Sequence, residues 1–289
     1  MTAHNKDEKS SRPDGVGSDP AVAVSDHEHD HDHDGEVGAG GITRRGALTA
    51  LAGTSGLLLL SCGPELQKRG VVDGYDWSKH RWGYAIDVDK CIGCGSCMRA
   101  CRSENDVPTG YHRTWVERYR IPEKGRAHVD VAATGDHNFK PVSGEMSRAF
   151  FVPKMCNHCS GSVCTKVCPV GASYHTADGV VLVDHDHCIG CGYCVQACPY
   201  GCRFIDPRTH MAGKCTWCYH LITRPHKNGK VREPACVMAC PVGARIFGDL
   251  KDPHGHLTLL LKRRTYRVLR PALGTEPNCY YHGLEREVI

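Results

Sequence analysis

The chain has 289 residues, 40% of them hydrophobic and only 7% aromatic, with 36 Lys/Arg against 32 Asp/Glu for a formal net charge of +4. That length suffices for one or two domains. No Ser/His/Asp constellation, phosphate loop or dinucleotide fingerprint is present, and the Gly-rich stretch Gly35–Gly41 follows no predicted strand, so the sequence offers no standard catalytic machinery. It offers 19 cysteines instead.

Residues 1–42 are polar and acidic, rich in Gly, Ser, Asp and His, and read as a disordered tail. Within them His27–Asp34 reads H-E-H-D-H-D-H-D, either a loose zinc or nickel site or simply a solvated acidic tract. Residues 43–61 form a signal-like segment. Arg44 and Arg45 stand immediately before Gly46–Leu60, an uncharged apolar run. The run is short for a span of about 20 residues. It fits a signal h-region, and the arginine pair resembles a twin-arginine export signal. Leu59-Leu60-Ser61-Cys62 resembles a lipobox, which makes Cys62 a lipidation candidate. The expectation is a protein exported folded, periplasmic or held by lipid on the outer face of the cytoplasmic membrane. An ordinary cleavage site and an uncleaved anchor are the alternatives.

Residues 62–83 read as a linker, and Tyr84–Val88 as a strand. Trp115–Ile121 and Ala127–Ala132 alternate about a turn at residues 122–125, which predicts a hairpin inside an insert spanning 111–145. The hairpin is either a surface element or a docking element. Ala149–Val152 and Val180–Val183 are short apolar strands. Segments near Val163–Cys168 and Val195–Cys198 are one- or two-turn helices stopped by Pro169 and Pro199. Asp252–Leu269 places Leu257, Leu260, Leu261 and Val268 at helical spacing and predicts an amphipathic helix too charged to span a membrane.

The cysteines organise everything between. Cys188–Pro199 reads C-I-G-C-G-Y-C-V-Q-A-C-P: three thiols at C-x2-C-x2-C, a fourth after x3, then proline. That is the spacing of a loop around a 4Fe–4S cube, and in two-cluster ferredoxins the fourth thiolate serves the other cluster. Gly190 and Gly192 allow positive φ, turning backbone N–H groups toward sulfur. Cys91, Cys94, Cys97 and Cys101 repeat the pattern, and Ile86–Gly95 echoes Val183–Gly192. A second kind of run, Cys156, Cys159, Cys164 and Cys168, is followed by P-V-G-A; its echo is Cys215, Cys218, Cys236 and Cys240, with the same tail. The order A, B, A′, B′ marks an internal duplication. Zinc is disfavoured, because four-ligand zinc sites do not need the third cysteine or the C-x3-C-P. Sixteen cysteines in matched quartets also make a poor disulfide framework. The fold class is therefore α+β: tandem dicluster ferredoxin-like lobes of short strands, short helices and much irregular structure. After residue 61 there are 31 basic against 22 acidic residues. Four clusters with their thiolates carry about −2 each when oxidised, so the excess offsets cluster charge and is no nucleic-acid patch.

These motifs, with C-x-x-E-N-x-V-P-x-G at Cys101–Gly110, C-P-Y-G at Cys198–Gly201 and G-T-x-P-x-x-Y-Y at Gly274–Tyr281, are similar to the four-cluster iron–sulfur subunits of the molybdopterin oxidoreductase (dimethyl sulfoxide reductase) superfamily. The likeness runs from Tyr84 to about Tyr281. It is strongest to exported subunits of tetrathionate, polysulfide and nitrite reductase and sulfite-reduction-associated systems. The resemblance implies four 4Fe–4S clusters, with these sixteen cysteines binding iron. Cluster 1 takes Cys91, Cys94, Cys97 and Cys240; cluster 2 takes Cys101, Cys215, Cys218 and Cys236. Cluster 3 takes Cys156, Cys159, Cys164 and Cys198; cluster 4 takes Cys168, Cys188, Cys191 and Cys194. The lobes are then nested: 84–110 plus 207–250 form lobe 1, 146–206 form lobe 2, and 251–289 form a C-terminal helix and tail. Cys202 and Cys279 are left as structural thiols. The implied protein has no catalytic residue of its own. It relays electrons between a multi-helix quinone-interacting membrane subunit and a molybdopterin or other redox catalytic subunit, with no nucleic-acid partner. A free-standing exported ferredoxin-type carrier and a zinc-structured binding module are the two alternatives.

Overall fold

The computed structural model describes residues 75–132, 139, 147–224 and 231–288. The acidic tail, Arg44, Arg45, the apolar run and Cys62 lie outside the described residues. Strand β1 (Trp82–Asp87) is buried at all six positions, as expected of a central strand covered on both faces. It pairs antiparallel with β9 (Arg245–Asp249), Tyr84 opposite Phe247, and parallel with β10 (Cys279–His282), Tyr84 opposite Cys279. The first and last strands of the described chain thus share a sheet ordered β10-β1-β9.

Beyond β1 comes helix α1 (Ser96–Asn105), capped by Gly95 at positive φ and ended by Asp106 in the left-handed region. A second sheet, ordered β3-β2-β4, is built from β2 (Thr114–Ile121), β3 (His128–Val131) and β4 (Arg148–Met155). The expected hairpin is present, with β3 as its exposed edge. β4 closes the other side by pairing with β2 from Thr114–Met155 to Ile121–Arg148. The insert is therefore half of a sheet whose β2–β4 layer buries Val116, Val152 and Met155.

Two hairpins follow, β5 (Ser173–His175) with β6 (Val181–Val183) and β7 (Arg203–Ile205) with β8 (Ala212–Lys214). Short helices α2 (Val163–Lys166) and α3 (Tyr193–Ala197) pack on each other beside them. Helices α4 (Tyr219–Ile222) and α5 (Ala235–Met238) flank the third and fourth motifs, α5 lying against α1. The principal core gathers Trp82, Tyr84, Ile86, Trp217, Phe247 and Tyr281.

The C-terminal helix is shorter than its apolar spacing suggested. α6 covers His256–Arg263 only, and Arg264 is extended. Leu257, Leu260 and Leu261 pack toward β1 and β9, but Val268 is not on the helix. The reason is downstream pairing. Arg267 exchanges backbone hydrogen bonds with Tyr281 in both directions, at 2.8 and 2.7 Å, which demands extended chain where the periodicity alone would have continued the helix. No helix among the described residues is long and apolar enough to cross a membrane.

Candidate metal centres

The four C-x2-C loops are made the same way. The residue before the second cysteine is left-handed in each: Gly93 (φ +70°), His158 (φ +44°), Gly190 (φ +68°) and Trp217 (φ +51°). This reverses the chain within one residue and swings the second thiol back toward the first. In the A-type loops only glycine fits. A Cβ on Gly190 would lie 2.1 Å from the His210 carbonyl oxygen, and one on Gly93 would lie 2.5 Å from the Phe151 ring. In the B-type loops a bulky side chain holds the same conformation, against a cost of order 1–3 kcal/mol each. His158 and Trp217 meet that cost together: both are fully buried and their rings stack at 4.0 Å.

Each helix then delivers further thiols. Cys97 sits in the first turn of α1 and Cys101 one turn later; Cys194 lies on α3 and Cys198 caps its end. Cys164 and Cys236 sit on α2 and α5, with Cys168 and Cys240 just beyond the proline-stopped turns.

Two groups of four close around cavities. Cys156, Cys159, Cys164 and Cys198 line one cavity of about 360 Å³ with Asn157, Tyr200, Arg203 and Thr275. Cys168, Cys188, Cys191 and Cys194 line another of about 340 Å³, again with Arg203. Each is roughly ten times the share of a water molecule in the liquid. In the other half Cys101 is pushed up by burial and then by Cys236 and Cys218 beside it, and Cys215 by burial and then by Cys101 and Cys236. Asn105 Nδ2 points at Cys218 Sγ (3.5 Å) and Cys101 Sγ (3.8 Å). Cys91 is pushed up to about 11 by burial, with Cys97 and Cys240 adding to it. Cys94 is the outlier: exposed, its Sγ lies 3.5 Å from Ser96 Oγ. The groups also touch in file. Cys97 faces Cys236, Cys215 faces Cys156, and Cys164 faces Cys194.

The residues fit iron–sulfur clusters. Thiols packed so that burial and neighbours oppose their ionisation need a cationic group, and a coordinated metal deprotonates a thiol outright. Backbone N–H groups donate to sulfur at Cys188 (Ala212 N, 3.4 Å), Cys215 (Trp217 N, 3.4 Å) and Cys240 (Ala244 N, 3.3 Å). Buried polar atoms at the first cavity, both amide atoms of Asn157 and Arg203 Nε and Nη1, have no protein partner. Cys198 behaves as the thiolate of a neighbouring pair. Hydrogen bonds from the Cys202 side chain, then from the backbone of Cys202 and Tyr200, hold it down to about 5 against burial. Cys202 stays a buried neutral thiol, its Sγ 3.0 Å from the Met155 carbonyl oxygen, and Cys279 is fully buried beside Tyr281.

Comparison with known proteins decides the family. Two family models, each described as a 4Fe–4S dicluster domain, match residues 90–172 and 147–250. An iron–sulfur relative from the tetrathionate reductase of Salmonella typhimurium is 41% identical over 209 residues, 72% of this chain and 74% of its own. Its namesake from Archaeoglobus fulgidus is 44% identical over 71% of this chain and 83% of its own length. The chain is an iron–sulfur electron-transfer subunit of the dimethyl sulfoxide reductase (molybdopterin oxidoreductase) superfamily. A sulfite dehydrogenase component from Allochromatium vinosum, 38% identical over 68% of this chain and 80% of its own, is a further relative. Like them the chain is not catalytic by itself. It carries 4Fe–4S clusters in tandem dicluster domains and works within a multi-subunit oxidoreductase, which sets aside zinc and the diffusing carrier.

Several residues at these centres carry no signal in the cysteine pattern: Arg203, Arg245, Lys214 and Asn105. Asn105 lies in plain view within C-x-x-E-N. Arg203 and Arg245 each stand five residues after a Cys-Pro cysteine, Cys198 and Cys240, a repeat that spacing could have exposed.

Proposed function

We propose that the chain holds four 4Fe–4S clusters in two nested lobes, each cluster ligated by one of the four cysteine quartets. They relay electrons between a quinone-linked membrane subunit and a molybdopterin or other redox catalytic subunit acting on sulfur or nitrogen compounds. When bound, the clusters supply one-electron redox chemistry. The chain's own residues do the rest. Thiolates fix the sites in file, and burial of Cys156, Cys159, Cys215, Cys218 and Cys236 keeps water from the middle pair. Arg203, Arg245 and Lys214 place fixed positive charge among the sulfurs. Cys94 and Cys191, exposed in the first and fourth groups, mark where partners would approach.

The observation that carries this reading is the closure of two cavities by two complete quartets. Iron and acid-labile sulfide analysis of anaerobically purified protein tests it. About sixteen iron atoms per chain are expected; a stable value near eight would leave half the groups empty and sink the four-cluster reading.

Export by the twin-arginine route, with Cys62 as lipid anchor, belongs to the same proposal. It is supported by the arginine pair directly before the apolar run and by the advantage of exporting thiolates already ligated. Replacing Arg44 and Arg45 by lysine should leave a brown, cytoplasmic protein. Unchanged export of that variant would remove this part.

A further inference from the structure

Among the described residues, Arg203 alone lines both thiol cavities of the second lobe. Its side chain is 5% exposed. Nη2 donates to Cys164 Sγ of the first cavity at 3.1 Å and to Ser173 Oγ, beside the second cavity, at 2.7 Å. Across the gap the guanidinium also reaches the Cys194 thiol. No carboxylate among the described residues pairs with it, and Nε and Nη1 are buried without a protein partner. An unpaired buried charge is expensive, and arginine cannot shed its proton to escape the cost. The anionic charge that compensates it must therefore come from the thiol cavities themselves.

The duplication repeats the device. Arg245 follows Cys240 as Arg203 follows Cys198, is 3% exposed, and stands between Cys97 and Cys236 of the two groups in lobe 1. There the fork is held by protein: Nη2 donates to Thr114 Oγ1 (2.8 Å) and Nη1 lies 3.4 Å from Tyr84 Oη. In lobe 2 only Ser173 holds it, and the remaining donors are left for the cavities.

We propose that Arg203 is a positioning residue for electron transfer: one guanidinium shared by two cluster sites, raising both reduction potentials together and keeping them level. The inference rests on the ligation proposed above. A reduced cluster carries one more negative charge than an oxidised one, so a fixed cation between two sites favours reduction at both. Hydrogen bonds to sulfur act in the same direction.

Potentiometric titration followed by EPR, on protein whose iron content has been measured, tests the proposal. In Arg203→Gln the reduced-to-oxidised ratio of both second-lobe centres should fall at least about tenfold at a given poise, ~59 mV for a one-electron couple. The two first-lobe centres should move less than about threefold. Four unchanged potentials in an iron-replete Arg203→Gln protein, or movement at one second-lobe centre alone, would overturn the bridge. Arg203→Lys keeps the charge and loses the fork, so both ratios should stay within about threefold of the parent and level with each other. If Arg203→Gln does not retain iron, Arg203→Lys decides: splitting of the two potentials overturns the bridge. Parent protein with well under sixteen iron atoms would instead sink the four-cluster reading, which keeps the two failures distinct.

Discussion

The two lobes use the same loops and the same number of thiols, yet they rest on different foundations. Lobe 1 surrounds a three-stranded sheet whose central strand is wholly buried, and its aromatics form the principal core. Lobe 2 has two separate two-stranded hairpins of three residues a strand. Its own small core is Cys164, Val181, Cys194 and Ala212, so half of it is ligand cysteine. An isolated two-stranded hairpin is marginal in water. Duplication therefore preserved the metal-binding chemistry and not the apolar scaffold: one lobe is a sheet protein that binds clusters, the other is organised by what it binds.

Cluster removal should expose this asymmetry most strongly. After anaerobic chelation of iron, amides of β5–β8 should lose protection from hydrogen exchange almost completely, while β1, β9 and β10 keep a substantial part of theirs. Equal loss in both lobes would mean that the sheet contributes no independent stability. Next in size is Trp217→Ala. The ring is fully buried, stacked on His158 next to Cys159 in lobe 2 and packed edge-on against Phe247 (5.7 Å) in lobe 1. Truncation should cost about 3–5 kcal/mol in chemical denaturation and uncouple the lobes, turning one transition into two. A single unbroadened transition would argue that Trp217 merely fills space.

Thr114→Val sharpens the contrast between the two arginines. It removes the Oγ1 that accepts from Arg245 and donates to the Lys154 carbonyl oxygen at 2.7 Å. The expected cost is about 1–3 kcal/mol, because a buried donor is stranded. A cost near zero would show that Arg245, like Arg203, is satisfied from the sulfur side. The smallest effect belongs to neither lobe. Asp130 accepts from Arg118 Nε (3.1 Å) and Nη2 (2.6 Å), and those hydrogen bonds, then the charges of Arg118 and Arg120, hold it below the usual carboxylate range. Its contribution is complete above the ordinary carboxylate pKa and disappears as pH falls through the depressed one. The pair is partly solvated, so Asp130→Asn should cost under about 1 kcal/mol at neutral pH and leave every cluster potential in place. A shift in any potential would tie the β2–β3 edge to the electron path.

The short-range constraints were the legible ones. Thiolate ligation of a compact group dictates spacing over a few residues, so all four motifs, the glycines at Gly93 and Gly190 and the helices stopped by Pro169 and Pro199 can be read directly. Contacts closed across the chain cannot. Nothing near Tyr84 announces a parallel partner at Cys279, and helical spacing at Val268 gives way to the Arg267–Tyr281 pairing. His158 and Trp217 were equally hidden, since neither residue type advertises positive φ; only the matching glycines of the A-type loops hinted that a left-handed residue belongs there. Arg203 and Arg245 are invisible to a cysteine pattern, because a buried cation five residues on carries no ligand signature.

The parallel pairing of β10 with β1 has a consequence in time. Cys91 leaves the ribosome 188 residues before Cys279, the residue that opens β10. At ~5–20 residues per second that gap is roughly 10–40 s. Throughout it β1 lacks one edge, and for most of it the thiols of the first loop lack Cys240 beside them. A nascent chain thus cannot finish its first site until nearly all of it has been translated. Iron loading is a post-translational event by geometry, and any factor that shields the first loop must act on an unfinished polypeptide.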